Sequence, residues 1–405
     1  MSGHPAVQTR LRALAGRWQG VSLLVPVLVA VGIDSAIVFS SDTPIYHRYA
    51  NAALASPLLH SLPKEYPAAA LAIYLLPLLF PIPYLVGFGL LAAVATVALV
   101  LSSDGLPAYP RWSRRTAIYL LVGAGAVVMG RYDIFPALAS FLAVEAARKD
   151  RWGRAWAWAV VGGLLKLFPF LLLPGFLLAE HARTGRWAFR RAAVGCVPVA
   201  LIAGVQTVLS PGSLLSPLRY ELDRGFELEG VAGGLTLLSD PFHVTWRFAY
   251  GGWEIFGRYH NVIAGLVLLA TVAGILAIWR FASQGRLSVE ATSLAVLSVA
   301  VLGDKAFSPQ YIIWLAPFWA YWPLRRGWLA AGALSTLVYP FLYMEKAYFG
   351  PGYYFATGGS LVRNAVLLVA TACWVREQLQ ARQAATMPVA APVVASARHE
   401  YATAR

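Results

Sequence analysis

The stretch that decides the fold is TAIYLLVGAGAVVMGRYDIFPALASFLAVEAA, residues 116–147. Two apolar blocks flank one polar break, Gly130-Arg131-Tyr132-Asp133, and similar blocks separated by basic residues recur along the chain. A straight helix needs about 20 apolar residues to cross a bilayer core about 30 Å thick. Each block here is shorter, so we expect two short membrane helices that meet at the polar break beside a cavity or thinned membrane.

The composition of the whole chain is typical of a membrane protein. Of 405 residues, 59% are hydrophobic and only 13% are charged, and the mean hydropathy is +0.61. Globular domains average about 45–50% apolar and about 25% charged residues. This composition excludes an ordinary soluble enzyme, a disordered chain and a secreted disulfide scaffold. It predicts an all-α fold, a polytopic transmembrane helical bundle.

The net charge of +14 comes mostly from arginines in short loops between apolar blocks. In a soluble protein this excess would suggest nucleic acid as a partner. Here the orientation in the membrane and anionic lipid headgroups explain it, so we expect membrane lipids and no nucleic acid as partners. We place the basic loops in the cytoplasm, and the protein in the cell membrane as a multi-pass protein. These loops are residues 111–115, 148–154, 183–191, 280–286 and 325–326.

The basic loops also predict the topology. If all of them face one side, an even number of crossings separates each from the next. Residues 155–179 must then form a second hairpin, broken at Lys166-Leu167-Phe168-Pro169. The alternative is a single helix with a proline kink, which would put one basic loop outside. One of the two apolar blocks in residues 66–102 must lie in the interface or re-enter.

We expect about 11–13 spans in a single transmembrane domain, residues 20–376. A cytoplasmic segment, residues 1–19, precedes it. Residues 377–405 lack a periodic apolar face, so we expect a disordered cytoplasmic tail.

This topology gathers otherwise unexplained ionisable residues on the outer side. Lys166 and the pair Arg131 and Asp133 lie at the two hairpin tips, where charges are costly unless they pair or face a functional site. For Arg131 and Asp133, a local ion pair and contact with a substrate both stay open. Lys166 has no acidic neighbour in sequence, so we expect it to bind an anion.

The first outer segment begins at Asp42, directly after the first apolar block. Tyr46 and Tyr49 share a helical face with Ala53, which predicts a short amphipathic helix on the outer membrane surface. Taken alone, Asp42 is most simply interpreted as the N-cap of that helix.

Five segments in order carry a resemblance to a known family. They are Asp42-x-x-x-Tyr46-x-x-Tyr49 with Lys64-Glu65-Tyr66-Pro67, Gly130-Arg131-Tyr132-Asp133, Leu165-Lys166-Leu167-Phe168-Pro169, residues 219–229, and Lys305-Ala306-Phe307-Ser308-Pro309-Gln310-Tyr311. Together they resemble glycosyltransferase family 87, GT-C-type membrane enzymes related to the polyprenyl-phosphate-mannose-dependent α-1,2-mannosyltransferases of actinobacteria. The chain departs from that pattern at Glu221, where His is usual, and at Gly230, where Ser is common.

The resemblance implies that residues 20–376 are a GT-C-like glycosyltransferase domain. Its activity would be transfer of a hexose, mannose by analogy, from a polyprenyl-phosphate-linked donor to a lipid or cell-envelope glycan acceptor on the outer face. Asp42 would be the catalytic general base, and a single base implies inversion at the anomeric carbon. No Asp-x-Asp motif follows Asp42, so we expect no metal and no cofactor.

Basic side chains would then neutralise the donor phosphate. The candidates for this role are Lys166, Lys305, Arg131 and Arg224. The candidates for binding the sugar or the acceptor are Tyr46, Glu65, Tyr66, Asp133, Glu229, Gln310 and Tyr311.

Two other classes of function fit parts of the sequence. A transporter or flippase for lipid-linked sugars would also use cavity-lining charges and proline-broken helices. If the protein were a scaffold subunit of a cell-envelope complex, Asp42 and Lys166 would have no function. The placement of the polar residues on one side favours the enzyme.

Overall fold

The computed structural model describes residues 21–22, 42–56, 62–103, 111–210, 212–342 and 352–386. The segment 1–19, nearly all of the predicted first span, and residues 387–405 lie outside the described residues. The described chain is mostly helical. Its first helices are α1 (Thr43–Ala55), α2 (Ala70–Leu75), α3 (Tyr84–Ser102), α4 (Arg111–Ala124), α5 (Ile134–Arg148), α6 (Trp152–Leu165), α7 (Leu172–Thr184) and α8 (Phe189–Leu209).

The second half of the chain adds the remaining helices and a small sheet. In order, these elements are α9 (Ser216–Asp223), β1 (Phe226–Glu227), α10 (Val231–Ser239), β2 (Thr245–Ala249), β3 (Gly252–Phe256), α11 (His260–Ser283), α12 (Val289–Gly303), α13 (Ile312–Trp319), α14 (Arg326–Thr336) and α15 (Gly352–Thr386). Short 3-10 turns span Leu76–Leu79, Phe168–Leu171 and Pro309–Tyr311, and a π turn follows α14.

Within the described residues, four helices are long and apolar enough to cross a membrane: α3, α8, α11 and most of α15. The apolar windows of α8 and α11 are only 6% and 11% buried inside the protein. Such extended apolar surface is what a lipid environment covers. The finer expectation of 11–13 spans stays a prediction.

The segment from α6 to α7 is a hairpin and not a kinked helix. Trp156 Nε1 lies 3.4 Å from Glu180 Oε2, whereas one continuous helix would separate these residues by about 36 Å. Two glycines admit the reversal, because a Cβ on Gly163 would lie 2.3 Å from the Phe170 ring and one on Gly162 would lie 3.1 Å from Pro169. The hairpin prediction is confirmed.

Contacts between loops define two ends of the bundle. Arg148 lies 4.8 Å from the Trp112 ring, 4.7 Å from the Tyr321 ring and 4.0 Å from Glu290. These residues belong to, or neighbour, four of the basic loops, which therefore share one end. At the opposite end of α5, Asp133 pairs with Lys166, so the tips of both hairpins meet.

The two apolar blocks of residues 66–102 differ in length. The first forms α2 and the turn Leu76–Leu79, and this turn folds back on α3, since a Cβ on Gly87 would lie 3.2 Å from Pro77. Only the second block, α3, has the length of a span. The crossing count of residues 66–102 stays a prediction.

Two sequence-based expectations are wrong. The apolar pattern and the basic loops predict a long loop outside the membrane over about residues 210–259, but this segment contains α9, α10 and an antiparallel sheet of order β1-β3-β2, in which Ile255 faces both Phe226 and Trp246. Strands this short leave little alternation to detect in a sequence. The predicted disordered tail is helical over residues 377–386, because α15 continues to Thr386. Glu377 pairs with Arg325 there, which anchors the extension.

Candidate functional site

A cavity of about 460 Å³ lies at the end of the bundle where the hairpin tips meet. Its walls come from α1, the segment before α2, the turn before α5, the end of α6, α9 with β1, β2 and the turn after it, the turn before α13, and the π turn after α14. The predicted site residues that line it are Asp42, Glu65, Tyr66, Arg131, Lys166, Arg224, Glu229, Gln310 and Tyr311. Tyr46, Asp133 and Lys305 lie behind its walls.

Asp42 faces the cavity instead of capping α1. No first-turn N–H of this described helix bonds to its side chain. Its carboxylate forms an ion pair with Arg131 and accepts a hydrogen bond from the Tyr46 hydroxyl at 3.4 Å. The interpretation of Asp42 as a simple N-cap is therefore wrong.

Tyr46 has a structural position. It is fully buried, it stacks on Tyr74 at 4.7 Å between ring centroids, and its hydroxyl accepts the backbone N–H of Tyr132 at 3.2 Å. These contacts tie α1 to the turn before α5. The predicted contact between Tyr46 and a sugar is corrected to a role in holding Asp42 and Arg131 together.

Lys166 has an acidic partner that is distant in sequence. Its Nζ lies 2.8 Å from Oδ1 of Asp133, a fully buried carboxylate that also accepts the indole N–H of Trp314 at 2.7 Å. Of the two roles left open for Asp133, the structure shows an ion pair, but with Lys166 and not with Arg131. The predicted contact of Asp133 with a substrate is replaced by this pairing.

The Lys166 ammonium still faces the cavity. An ammonium has three donors, and Asp133 accepts one of them. Aromatic rings flank the ammonium, and its Nζ lies 5.4 Å from the centroid of the Tyr66 ring and 5.2 Å from that of the Tyr311 ring. The side chain is 15% exposed, through the cavity that it lines.

Lys305 does not line the cavity. Its ammonium donates to the backbone carbonyls of Leu222, at 2.9 Å, and Arg224, at 3.2 Å. Its own carbonyl accepts the N–H of Glu227 at 2.9 Å. The predicted contact of Lys305 with a phosphate is corrected to a structural role, in which Lys305 fixes the end of α9 and the start of β1.

Arg224 and three glutamates form a second, acidic wall. The Arg224 guanidinium lies 3.6 Å from Glu221 and 3.8 Å from Glu227. The Ser308 hydroxyl lies 2.9 Å from a Glu227 oxygen and 3.3 Å from one of Glu229. Sequence reasoning missed Glu221, Glu227 and Ser308 as site residues, although all three lie inside the motif segments that supported the resemblance.

Glu221 titrates near neutral pH. Burial, strengthened by the nearby Asp304 carboxylate, raises the pKa of Glu221 to about 7, while Arg224 and Lys166 oppose the shift. Burial also raises the pKa of Asp304. The acidic wall therefore carries less negative charge at neutral pH than its residue types suggest.

Each cation of the cavity is already next to a carboxylate. Arg131 pairs with Asp42, Lys166 with Asp133, and Arg224 with Glu221 and Glu227. A guanidinium has five donors and an ammonium three, so each cation keeps donors for an anion. Aromatic side chains complete the lining: Tyr66, Tyr220, Phe248, Tyr250, Tyr311 and Tyr339.

Comparisons with known proteins do not place the chain in a family. A scan against protein-family models found no match, and a search of curated proteins found none either. The cavity and its charges are therefore the basis for inferring function.

Proposed function

We propose that the protein is a GT-C-type membrane glycosyltransferase. It moves a hexose, mannose by its resemblance to glycosyltransferase family 87, from a polyprenyl-phosphate-linked donor to a hydroxyl of a lipid or cell-envelope glycan. One observation carries the proposal: Asp42 lines a single cavity with Arg131, Lys166 and Arg224, which come from distant segments.

In the proposed reaction, the acceptor hydroxyl oxygen attacks the anomeric carbon of the donor sugar. The bond between that carbon and the phosphate oxygen breaks, and its electron pair leaves with polyprenyl phosphate. Asp42 accepts the proton of the attacking hydroxyl. Attack from the face opposite the leaving group inverts the anomeric configuration.

The cations would bind the leaving group. Negative charge grows on the phosphate oxygen as the bond breaks, and N–H donors already aimed at it stabilise that charge without reorganising. Lys166 is the ammonium of this set. Arg131 contacts Asp42 and lines the cavity, so it would hold the carboxylate of the base in position on the opposite side of the sugar from the phosphate. No metal takes part in this proposal.

The proposed orientation follows from the two ends of the bundle. Basic loops favour the cytoplasmic side of a membrane, so the cavity at the opposite end would open on the extracytoplasmic side. Residues 20–376 would form a multi-pass bundle of about 11–13 spans, in which short helices such as α5 and α6 border the cavity. The polyprenyl chain of the donor would stay in the lipid.

Product analysis tests this function. Purified protein in proteoliposomes is incubated with polyprenyl-phosphate-[¹⁴C]mannose and a lipid extract of the source membranes. We expect label in a new glycan or glycolipid, with release of polyprenyl phosphate. A flippase for lipid-linked sugars would move the donor between leaflets and leave its sugar–phosphate bond intact, and that result would contradict the proposal.

A further inference from the structure

We propose that Trp314 is a positioning residue for this reaction. It donates a hydrogen bond to Asp133, and Asp133 in turn holds the Lys166 ammonium toward the donor phosphate. The inference rests on the proposed function, which names the phosphate, but it concerns a residue that binds neither substrate.

The Asp133 carboxylate is held by few bonds. Its Oδ1 accepts from Lys166 Nζ at 2.8 Å and from Trp314 Nε1 at 2.7 Å. Its Oδ2 is buried and has no hydrogen-bond partner among the described residues. If the indole bond is lost, the Lys166 ammonium is the one remaining hydrogen-bond partner of the carboxylate among the described residues, so the carboxylate and the ammonium can move together.

The Trp314 ring is itself fixed in direction. It stacks between Phe168, at 3.9 Å between centroids and 10° between planes, and Tyr311, at 4.0 Å and 18°. Phe168 lies in the turn that follows Lys166, and Tyr311 lines the cavity. These two stacked rings hold the indole in place, and its N–H points at Asp133.

Three aromatic rings flank the ammonium and leave it open to the cavity. Its Nζ lies 4.9 Å from the Trp314 ring, in addition to the contacts with Tyr66 and Tyr311 described above. Cation–π attraction and the Asp133 bond both act on the same group. A donor phosphate would then meet an ammonium that is already in place, and the side chain would lose little further freedom on binding.

The same helix offers a matched control. Trp319 is also in α13 and fully buried, but its Nε1 has no hydrogen-bond partner among the described residues. Trp314→Phe removes an indole and its hydrogen bond. Trp319→Phe removes an indole without such a bond, so it measures the cost of the smaller ring alone.

Kinetics of transfer from polyprenyl-phosphate-mannose form the first part of the test. Trp314→Phe should raise the donor KM and lower kcat, so that kcat/KM for the donor falls about 10- to 100-fold, with little change in acceptor KM. Trp319→Phe should leave kcat/KM within about two-fold of wild type. If wild type is active and both variants lose donor kcat/KM equally, this inference is overturned and the proposed function stands.

The second part reads the hydrogen bond directly. In protein labelled with ¹⁵N-tryptophan, the indole resonance of Trp314 is the one lost in Trp314→Phe. Asp133→Ala, which removes the acceptor of the indole N–H, should shift that resonance and leave that of Trp319 in place. An unshifted resonance would overturn the inference whatever the kinetics show. If the Asp133 variant shifts the resonance but the wild-type protein transfers no mannose, the proposed function is overturned, and with it the catalytic part of this inference.

Discussion

Lys166 has two roles in this account, as the partner of Asp133 and as a ligand for the donor phosphate, and a double substitution separates them. Lys166→Gln leaves a fully buried carboxylate without its cation. Removing one partner of a buried pair costs about 3–5 kcal/mol of folding free energy. Because the hydrogen bond from Trp314 to Asp133 remains, we expect the free energy of unfolding to fall by about 3 kcal/mol, the lower end of that range.

The double variant Lys166→Gln/Asp133→Asn should recover most of that stability. The asparagine oxygen still accepts the Trp314 N–H, and no unpaired charge is left in the interior. The kcat/KM for the donor should not recover, because the contact between Lys166 and the phosphate is still missing and one such charge-assisted contact contributes about 1.5–3 kcal/mol. That range corresponds to a loss of about 10- to 150-fold in kcat/KM for the donor.

Two measurements on the same three proteins check this prediction. Thermal unfolding in detergent reports stability, and transfer from polyprenyl-phosphate-[¹⁴C]mannose at varied donor concentration reports the donor kcat/KM. We expect the melting temperature of the double variant to return toward wild type while its donor kcat/KM stays as low as that of Lys166→Gln. Recovery of both together would refute the ligand role and leave Lys166 a structural partner of Asp133.

Three further predictions concern packing, titration and topology. A Cβ on Gly123 would lie 2.6 Å from Ile312 and 3.1 Å from Gly332 of α14. Gly123→Ala should therefore lower the free energy of unfolding by about 1–3 kcal/mol, as measured by thermal unfolding. A Cβ on Gly153 would meet nothing within 4 Å, so Gly153→Ala should leave the free energy of unfolding unchanged. Equal losses of stability in the two variants would contradict the close packing of α4 on α14. The folded protein holds a proton on Glu221 between its ordinary pKa of 4.5 and about 7, so Glu221 makes the fold less stable as pH rises through that window. Glu221→Gln should therefore melt higher than wild type at pH 8, by a margin that shrinks toward pH 5, and a constant margin would count against the shift. In a background without Cys196 and Cys373, Leu222→Cys should react with an impermeant maleimide on intact cells and Gly153→Cys should not, whereas reaction of Gly153→Cys from outside would reverse or break the proposed topology.

Local properties of the sequence predicted most of the helical organisation. The polar break at residues 130–133 and the break after Lys166 both interrupt apolar blocks, and both are hairpin tips. Residues in or next to four of the basic loops meet at one end, because the chain reverses direction between them. Such features depend on near neighbours in the chain, which a single sequence displays.

The pairing inside the site depends on packing and could not be predicted in the same way. Lys166 has no acidic neighbour in sequence, yet Asp133 meets it because the two hairpin tips pack together. Lys305 lies in a motif as suggestive as that of Lys166, but the chain path after α12 turns its ammonium onto the backbone of α9. Which cation reaches the cavity was therefore decided by tertiary structure.

The sheet and the acidic wall were missed for a related reason. β1 has only two residues, and it gains its partners from β3, which follows much later in the chain. Glu227 lies in β1, so its contact with Ser308 appears only when the sheet forms. The resemblance marked both segments, but it gave no geometry to join them.

The most direct test of the central claim is the activity of Asp42→Asn compared with Asp150→Asn. Asp150 pairs with Arg183 at the far end of the bundle and has φ of 55°, a conformation that asparagine adopts readily. Both variants should insert, and Asp42→Asn should melt below wild type because Arg131 loses its charged partner, so transfer is compared at a temperature at which both variants stay folded. Asp42→Asn should lose about 10²- to 10⁴-fold of the transfer of [¹⁴C]mannose from polyprenyl-phosphate-mannose, and Asp150→Asn should retain it. Transfer by Asp42→Asn within a few-fold of wild type would contradict the assignment of Asp42 as the base.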